Sequence, residues 1–193
     1  MKSRSTVILL ASIWSSHAWA APVSYELNKD HTDVTFTINH AGLSMKHGSF
    51  SEVSGNLQLD ADHLEASSVQ ITVAVKSIYT SHVKRDQDLQ SAQFLDVSAF
   101  PTMYFVSKKV TSVGASKLDV TGDLTLHGIT RPLVLHATIN KIGKSPFGGT
   151  QTAGFTVTGA LKRSDFGITT LVPLIGDEVS IVIDTEFAVA QQK

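Results

Sequence analysis

HVKRDQDLQSAQFLDVSAFPTMYFVS, residues 82–107, is the stretch on which the reading of the fold turns. From Val83 to Gln93 it contains no glycine, no proline and a single β-branched residue, and charges crowd its start. Such a composition favours helix. At helical period Val83, Leu89 and Phe94 with Leu95 fall roughly on one side, with Lys84, Arg85, Asp88 and Gln90 mostly elsewhere. A helix this short is marginal alone and needs an apolar surface to lie on. Pro101 stops it, and Met103 to Ser107 resumes an extended segment. The expectation is a short amphipathic cap inserted into an all-β chain. It either plugs the end of a barrel to complete the core or forms a wall of a ligand cavity.

On both sides of this stretch the pattern has period two. Ala21 to Leu27 reads as a short lead-in strand ending at Asn28-Lys29-Asp30. Val34, Phe36 and Ile38 alternate with Thr35, Thr37 and Asn39, and His40 continues the apolar parity until Ala41-Gly42 ends it. Gly48 to Asp60 reads as one long strand whose parity changes between Phe50 and Val53, the mark of a bulge or bend of the kind that closes barrels. Val69, Ile71, Val73 and Val75 form the next alternation. Beyond the helix come Leu118, Val120, Leu124 and Leu126, then Leu133, Leu135, Ala137 and Ile139. A turn at residues 144–149 leads to Phe155, Val157 and Leu161. The loop Arg163 to Asp177 leads to Val179, Ile181 and Ile183, with Thr185, Phe187 and Val189 on the same parity. Gly122 and Gly159 suit sharply coiled strands or ordinary bulges.

These segments predict a single all-β domain, an eight-stranded antiparallel β-barrel with a short helical insertion. Eight strands leave an interior that side chains just fill or that holds one small ligand. The inward set is almost wholly aliphatic and aromatic, so a cavity here would select an apolar ligand.

The first 20 residues stand apart. Lys2 and Arg4 precede a short apolar run, VILLASIW at residues 7–14, and Ala18-Trp19-Ala20 is a small-x-small site. This is a secretory signal pattern with cleavage expected after Ala20, leaving residues 21–193 as a soluble, exported barrel domain. Without Lys2 and Arg4 that domain carries 14 basic against 17 acidic residues, a formal charge of −3. No basic face suited to nucleic acid stands out. The chain has no cysteine, so neither disulfides nor thiolate chemistry are available.

Several stretches together resemble the YceI family of exported lipid-binding proteins. They are Tyr25 with Asp30-His31, VTFTINH (34–40), GSF (48–50), KRDQDLQSAQFLDVSAFP (84–101), GDLTLHGITRPL (122–133), RSDFGI (163–168) and GDEVSIVI (176–183). The resemblance covers essentially the whole chain after residue 20 and keeps the motifs in order. It implies a lipocalin-like barrel, periplasmic in Gram-negative bacteria, holding a long isoprenoid chain such as a polyprenyl or a quinone tail. One departure lies between His40 and Gly48. Family members often carry an aromatic or bulkier apolar residue there, whereas this chain has Met45-Lys46-His47, and its ligand or partner preference is expected to differ if the segment forms the cavity mouth.

Burial of a prenyl tail supplies roughly 0.8 kcal/mol per CH₂-sized group. Association costs about 4–15 kcal/mol, so several isoprene units must be enclosed in a long tunnel. The candidate walls are Phe36, Ile38, Val73, Leu89, Phe94, Phe105, Leu124, Leu135, Phe155 and Ile183. Arg85 and Arg163 are candidates for a quinone carbonyl or a phosphate head group, or else structural cations that fix their own loops. His40, on an inward parity, is a candidate head-group donor or a hydrogen-bonded structural histidine. His31, His40 and His47 do not match a compact metal-ligand spacing, and no nucleophile elbow or phosphate loop is present, so no metal and no catalytic cofactor are expected. The expected partner is an isoprenoid or other amphiphilic lipid, with transient contact to a membrane or membrane protein. Oligomeric state stays open, a homodimer included. The rival readings are a binding module for fatty acids or acyl amides in stress response, and a redox or enzymatic accessory acting on a bound quinone.

Overall fold

A computed structural model describes residues 21–189. The signal sequence expected at residues 1–20, and the tail from residue 190, lie outside the described residues. In chain order the elements are β1 (Val23–His40), β2 (Ser44–Phe50), β3 (Val53–Leu59), β4 (Ser68–Ala74), β5 (Ile78–Tyr79), α1 (Val83–Gln90), β6 (Thr102–Gly114), β7 (Lys117–Leu126), β8 (Ile129–Lys144), β9 (Gln151–Lys162) and β10 (Ile175–Val189).

The strands close into an eight-row antiparallel barrel. β2 and β3 occupy one row, because both pair with β1, and β5 extends the row of β4 by pairing with β2. From there β6, β7, β8, β9 and β10 follow as neighbours, and β10 returns to β1 through Val34↔Ile183, Phe36↔Ile181 and Ile38↔Val179. Closure leaves no long unpaired edge.

β1 is a single strand where the sequence reads as two. The polar Asn28-Lys29-Asp30 triplet looks like a strand end, but a bulge between Asn28 and Thr32 absorbs it. Thr32 Oγ1 donates to the Asn28 carbonyl at 2.8 Å and lies 2.9 Å from Thr185 Oγ1, which supplies the partners the interrupted ladder loses. The parity change after Phe50 is a true break. Phe50 pairs with Val34 and Val53 with Val73, and Ser51 and Glu52 turn between them. The neighbouring row breaks beside it at Val75–Ser77. The Glu52 amide donates to Ser77 Oγ at 3.0 Å and the Ala74 amide to the Glu52 carbonyl at 2.9 Å, so the two breaks are stitched into one corner around Val75, which is 1% exposed.

α1 ends at Gln90, three residues before the predicted end, where Ser91 turns back and its hydroxyl donates to the Asp88 carbonyl at 2.6 Å. The helix has no buried residue, and Val83, expected on its apolar side, is 75% exposed. Polar contacts fix it instead. His82 caps its first turn through a hydrogen bond from the Arg85 amide. Buried Thr80 holds it further: its amide and hydroxyl donate to Asp86 Oδ1 at 2.9 and 2.5 Å, while Arg85 Nε donates to its hydroxyl at 2.8 Å, and at the other end Gln90 Nε2 donates to the Lys76 carbonyl at 3.0 Å.

Inside the barrel the expected alternation holds along β7, where Leu118, Val120, Leu124 and Leu126 are buried, and along β8 at Leu133, Leu135 and Ala137. Each such side chain contributes about 1.5–3 kcal/mol. Gly122 lies among them because the Phe105 ring crosses it. A Cβ there would sit 2.5 Å from Phe105 Cζ and 2.5 Å from the Val106 carbonyl oxygen, so close approach accounts for this glycine.

Candidate functional site

The core does not fill the barrel. A chamber of about 780 Å³ lies beneath α1, and a second of about 110 Å³ continues toward the far end. Val34, Ile71, Phe105, Leu135 and Ile183 line both and form the waist between them. The two chambers lie one beyond the other inside the barrel, meeting at these shared residues.

The local reasons for the lining are simple. Strand alternation sends one residue in two inward, and the inward residues of these strands are nearly all aliphatic or aromatic. Phe36, Ile38, Val73, Phe105, Leu124, Leu135 and Ile183 line the larger chamber from the strands. Leu89 lines it from α1, and Phe94 from the turn after the helix. Phe155 lines only the smaller chamber, packed edge-on against Phe187 with ring centroids 6.2 Å apart. Phe36 packs on Phe50 at 5.6 Å.

The polar positions gather at the helix end. His40 is exposed at the rim, opposite Ser44 and Ile175. Arg85 is half-buried and borders the chamber; its Nε and Nη2 hold Thr80. Arg163 also borders the chamber but is 6% exposed, and four of its donor hydrogens are committed to backbone carbonyls. Nε reaches Gly176 at 2.9 Å, Nη1 reaches Ile168 and Thr170 at 3.0 and 2.8 Å, and Nη2 reaches Ile175 at 3.0 Å. This is the geometry of a loop clamp. Burial lowers the Arg163 pKa from its ordinary value, partly offset by the nearby Asp177. Asp177 accepts from the Ser164 amide at 2.9 Å and from its hydroxyl at 2.7 Å, and those bonds hold its pKa below the ordinary aspartate value.

Sequence reasoning missed several residues of the site. Leu126, Leu133, Leu161 and Ile181 share a parity with residues it named, and could have been found by extending the same alternation. Lys46 lies in the Met45-Lys46-His47 segment that the sequence offers as a candidate cavity mouth, and the register Ile38↔Lys46 is what sets it on the inward face. Around the helix end exposed apolar side chains include Leu43 at 84%, Leu171 at 53% and Leu174 at 61% exposure. The turn after β1 and the loop before β10 touch here, the Ala41 amide donating to the Leu174 carbonyl at 2.9 Å.

Comparison with known proteins agrees with this architecture. The family model described as a YceI-like domain matches residues 25–187. A UPF0312 protein of Pseudomonas savastanoi pv. phaseolicola is 41% identical over 170 residues, covering 87% of this chain and 88% of that protein. Protein YceI of Salmonella arizonae is 37% identical over 188 residues, covering 96% and 97%. Among solved structures, a polyisoprenoid binding domain from Saccharophagus degradans superposes with a TM-score of 0.66 at 14% identity, covering 87% of this chain and 99% of that domain, which bears on the fold. With the family model spanning nearly every strand of the barrel, the chain belongs to the YceI-like domain family.

Proposed function

We propose that this protein is an exported carrier that holds a long isoprenoid chain, a polyprenyl or the tail of a quinone, for carriage, storage or sequestration. The observation that carries the reading is the largely apolar chamber of about 780 Å³, which shares five wall residues with a second of about 110 Å³. At about 30 Å³ per heavy atom, the share of a water in the liquid, the larger chamber takes about 26 carbons, or five isoprene units. Burying them supplies roughly 20 kcal/mol gross, above the association cost of about 4–15 kcal/mol. The ligand class is supported by the description of the Saccharophagus domain as polyisoprenoid binding.

In this reading the protein binds and does not transform its cargo, since Arg163, Asp86 and Thr80 are engaged in holding the loop and the helix. Residues 1–20 are a signal peptide removed after Ala20, and the barrel works in the periplasm. The protruding leucines at the helix end make transient contact with the membrane surface where cargo is collected.

The test is mass spectrometry of the solvent extract from mature protein purified without detergent, beside an intact native spectrum. One stoichiometric isoprenoid is expected. An acyl species in its place would transfer the reading to fatty acids or acyl amides. A folded protein that takes up no prenyl lipid at micromolar concentration would end it.

A further inference from the structure

From the register of β2 we infer that the mouth of the chamber is built for an anionic head group, so that the preferred cargo is a prenyl or acyl chain ending in a phosphate or carboxylate. The inference rests on the lipid-holding reading of the cavity and adds the chemistry of the cargo's polar end.

Directly paired residues of antiparallel strands project to the same face. Phe36 pairs with Gly48 and Ile38 with Lys46, and Phe36 and Ile38 line the chamber. Lys46 therefore lies on the inner face of an otherwise apolar wall, with Val179 across Ile38 on the other side. It lines the chamber and is half-buried. A lysine so placed runs its methylene stem along the apolar wall and carries its ammonium to the rim. The described residues include the ion pairs Lys76–Glu52, Lys84–Asp88 and Lys108–Asp123, and Lys46 is in none of them.

A second cation flanks it. β5 pairs Ile78 with Phe50, so Thr80 follows opposite Gly48, and its Cγ2 lies 2.9 Å from where a Gly48 Cβ would stand. Lys46 is the next inward residue along β2. Arg85 clasps Thr80 through Nε and Nη2, which leaves Nη1 without a hydrogen-bond partner among the described residues. The acid that also lines the chamber, Asp88, faces Lys84 at 3.3 Å, and Asp86 is taken by Thr80. The rim thus carries two cations, neither in an ion pair, on a domain whose formal charge is negative. A phosphate or carboxylate placed between them completes charge-assisted hydrogen bonds while its tail fills the chamber. A neutral quinone ring offers these cations weaker acceptors.

The experiment measures displacement of an apolar fluorescent probe by geranylgeraniol, geranylgeranyl phosphate, hexadecanol and palmitate, on wild type, Lys46→Gln and Lys46→Arg. The anionic member of at least one pair is expected to bind about tenfold or more tighter than its neutral partner to wild type. Lys46→Gln should erase that preference, and Lys46→Arg should keep it. The pair with the larger preference identifies phosphate or carboxylate as the source. Alcohols that bind as tightly as both anions to wild type overturn the head-group inference and leave the lipid reading standing. Failure of all four probes to bind folded protein overturns both.

Discussion

Two cations that look alike in sequence do different work. Arg163 and Arg85 each precede an acid by one or two residues and each borders the cavity. Arg163 is spent on four carbonyl contacts that fold residues 163–176 into a fixed loop, and Asp177 locks the same loop through Ser164. Because the Asp177 pKa is lowered in the folded state, its ionised form stabilises the fold above the ordinary value of 3.8, and that stabilisation is lost as pH falls below it. Asp177→Asn should therefore lower stability at neutral pH by about 1 kcal/mol, in the range of a hydrogen bond to a charged group at a partly exposed site. The gap between variant and wild type should close as pH drops below 3.8. Urea unfolding between pH 3 and 7 checks this, and a gap that stays constant with pH would contradict it.

At the scale of the element, the helix region serves the cavity more than the core. α1 has no fully buried residue and is pinned through Thr80 and Lys76; it lends the chamber Leu89, while Phe94 and Leu95 join the lining after the helix ends. Phe94→Asp should leave the barrel folded, because Phe94 is only partly buried, yet weaken prenyl-lipid retention at least tenfold by setting a carboxylate against an apolar tail. Circular dichroism checks the fold and lipid dissociation checks retention; normal retention in a folded variant would remove Phe94 from the wall. Much of this element order was legible in the chain, because the barrel strands bury one face and the alternation at Leu118 to Leu126 or Leu133 to Ala137 records it directly. The continuity of β1 was not, since a polar triplet that ends a strand and one that a bulge absorbs have the same composition. Val83 misled because helical period locates a side without saying whether anything lies against it. The segment Met45-Lys46-His47 was legible as a candidate cavity mouth, but which of its side chains faces inward was not, since that is a property of the pairing of Lys46 with Ile38.

For the whole molecule, one rim of the barrel brings exposed leucines and cations together. Leu43, Leu171 and Leu174 protrude around the same rim that carries His40, Lys46 and Arg85. Two leucine side chains passing into lipid supply about 3–6 kcal/mol, close to the lower cost of association, which suits a contact that forms and breaks. Wild type should therefore co-float with vesicles containing anionic lipid, and Leu43→Ser with Leu174→Ser together should abolish flotation without changing probe binding in solution. Flotation unchanged in the double variant would dissociate the leucines from membrane contact.

The stitched corner at Glu52 and Ser77 has a consequence for how such a vessel empties. On its far side the rows are long strands paired on both edges, bulges included, and on the helix side one row is reduced to the two residues of β5 followed by a helix with nothing buried. Local opening draws on the least protected segments first. The corner therefore sets the floor of the barrel apart from the end expected to open first.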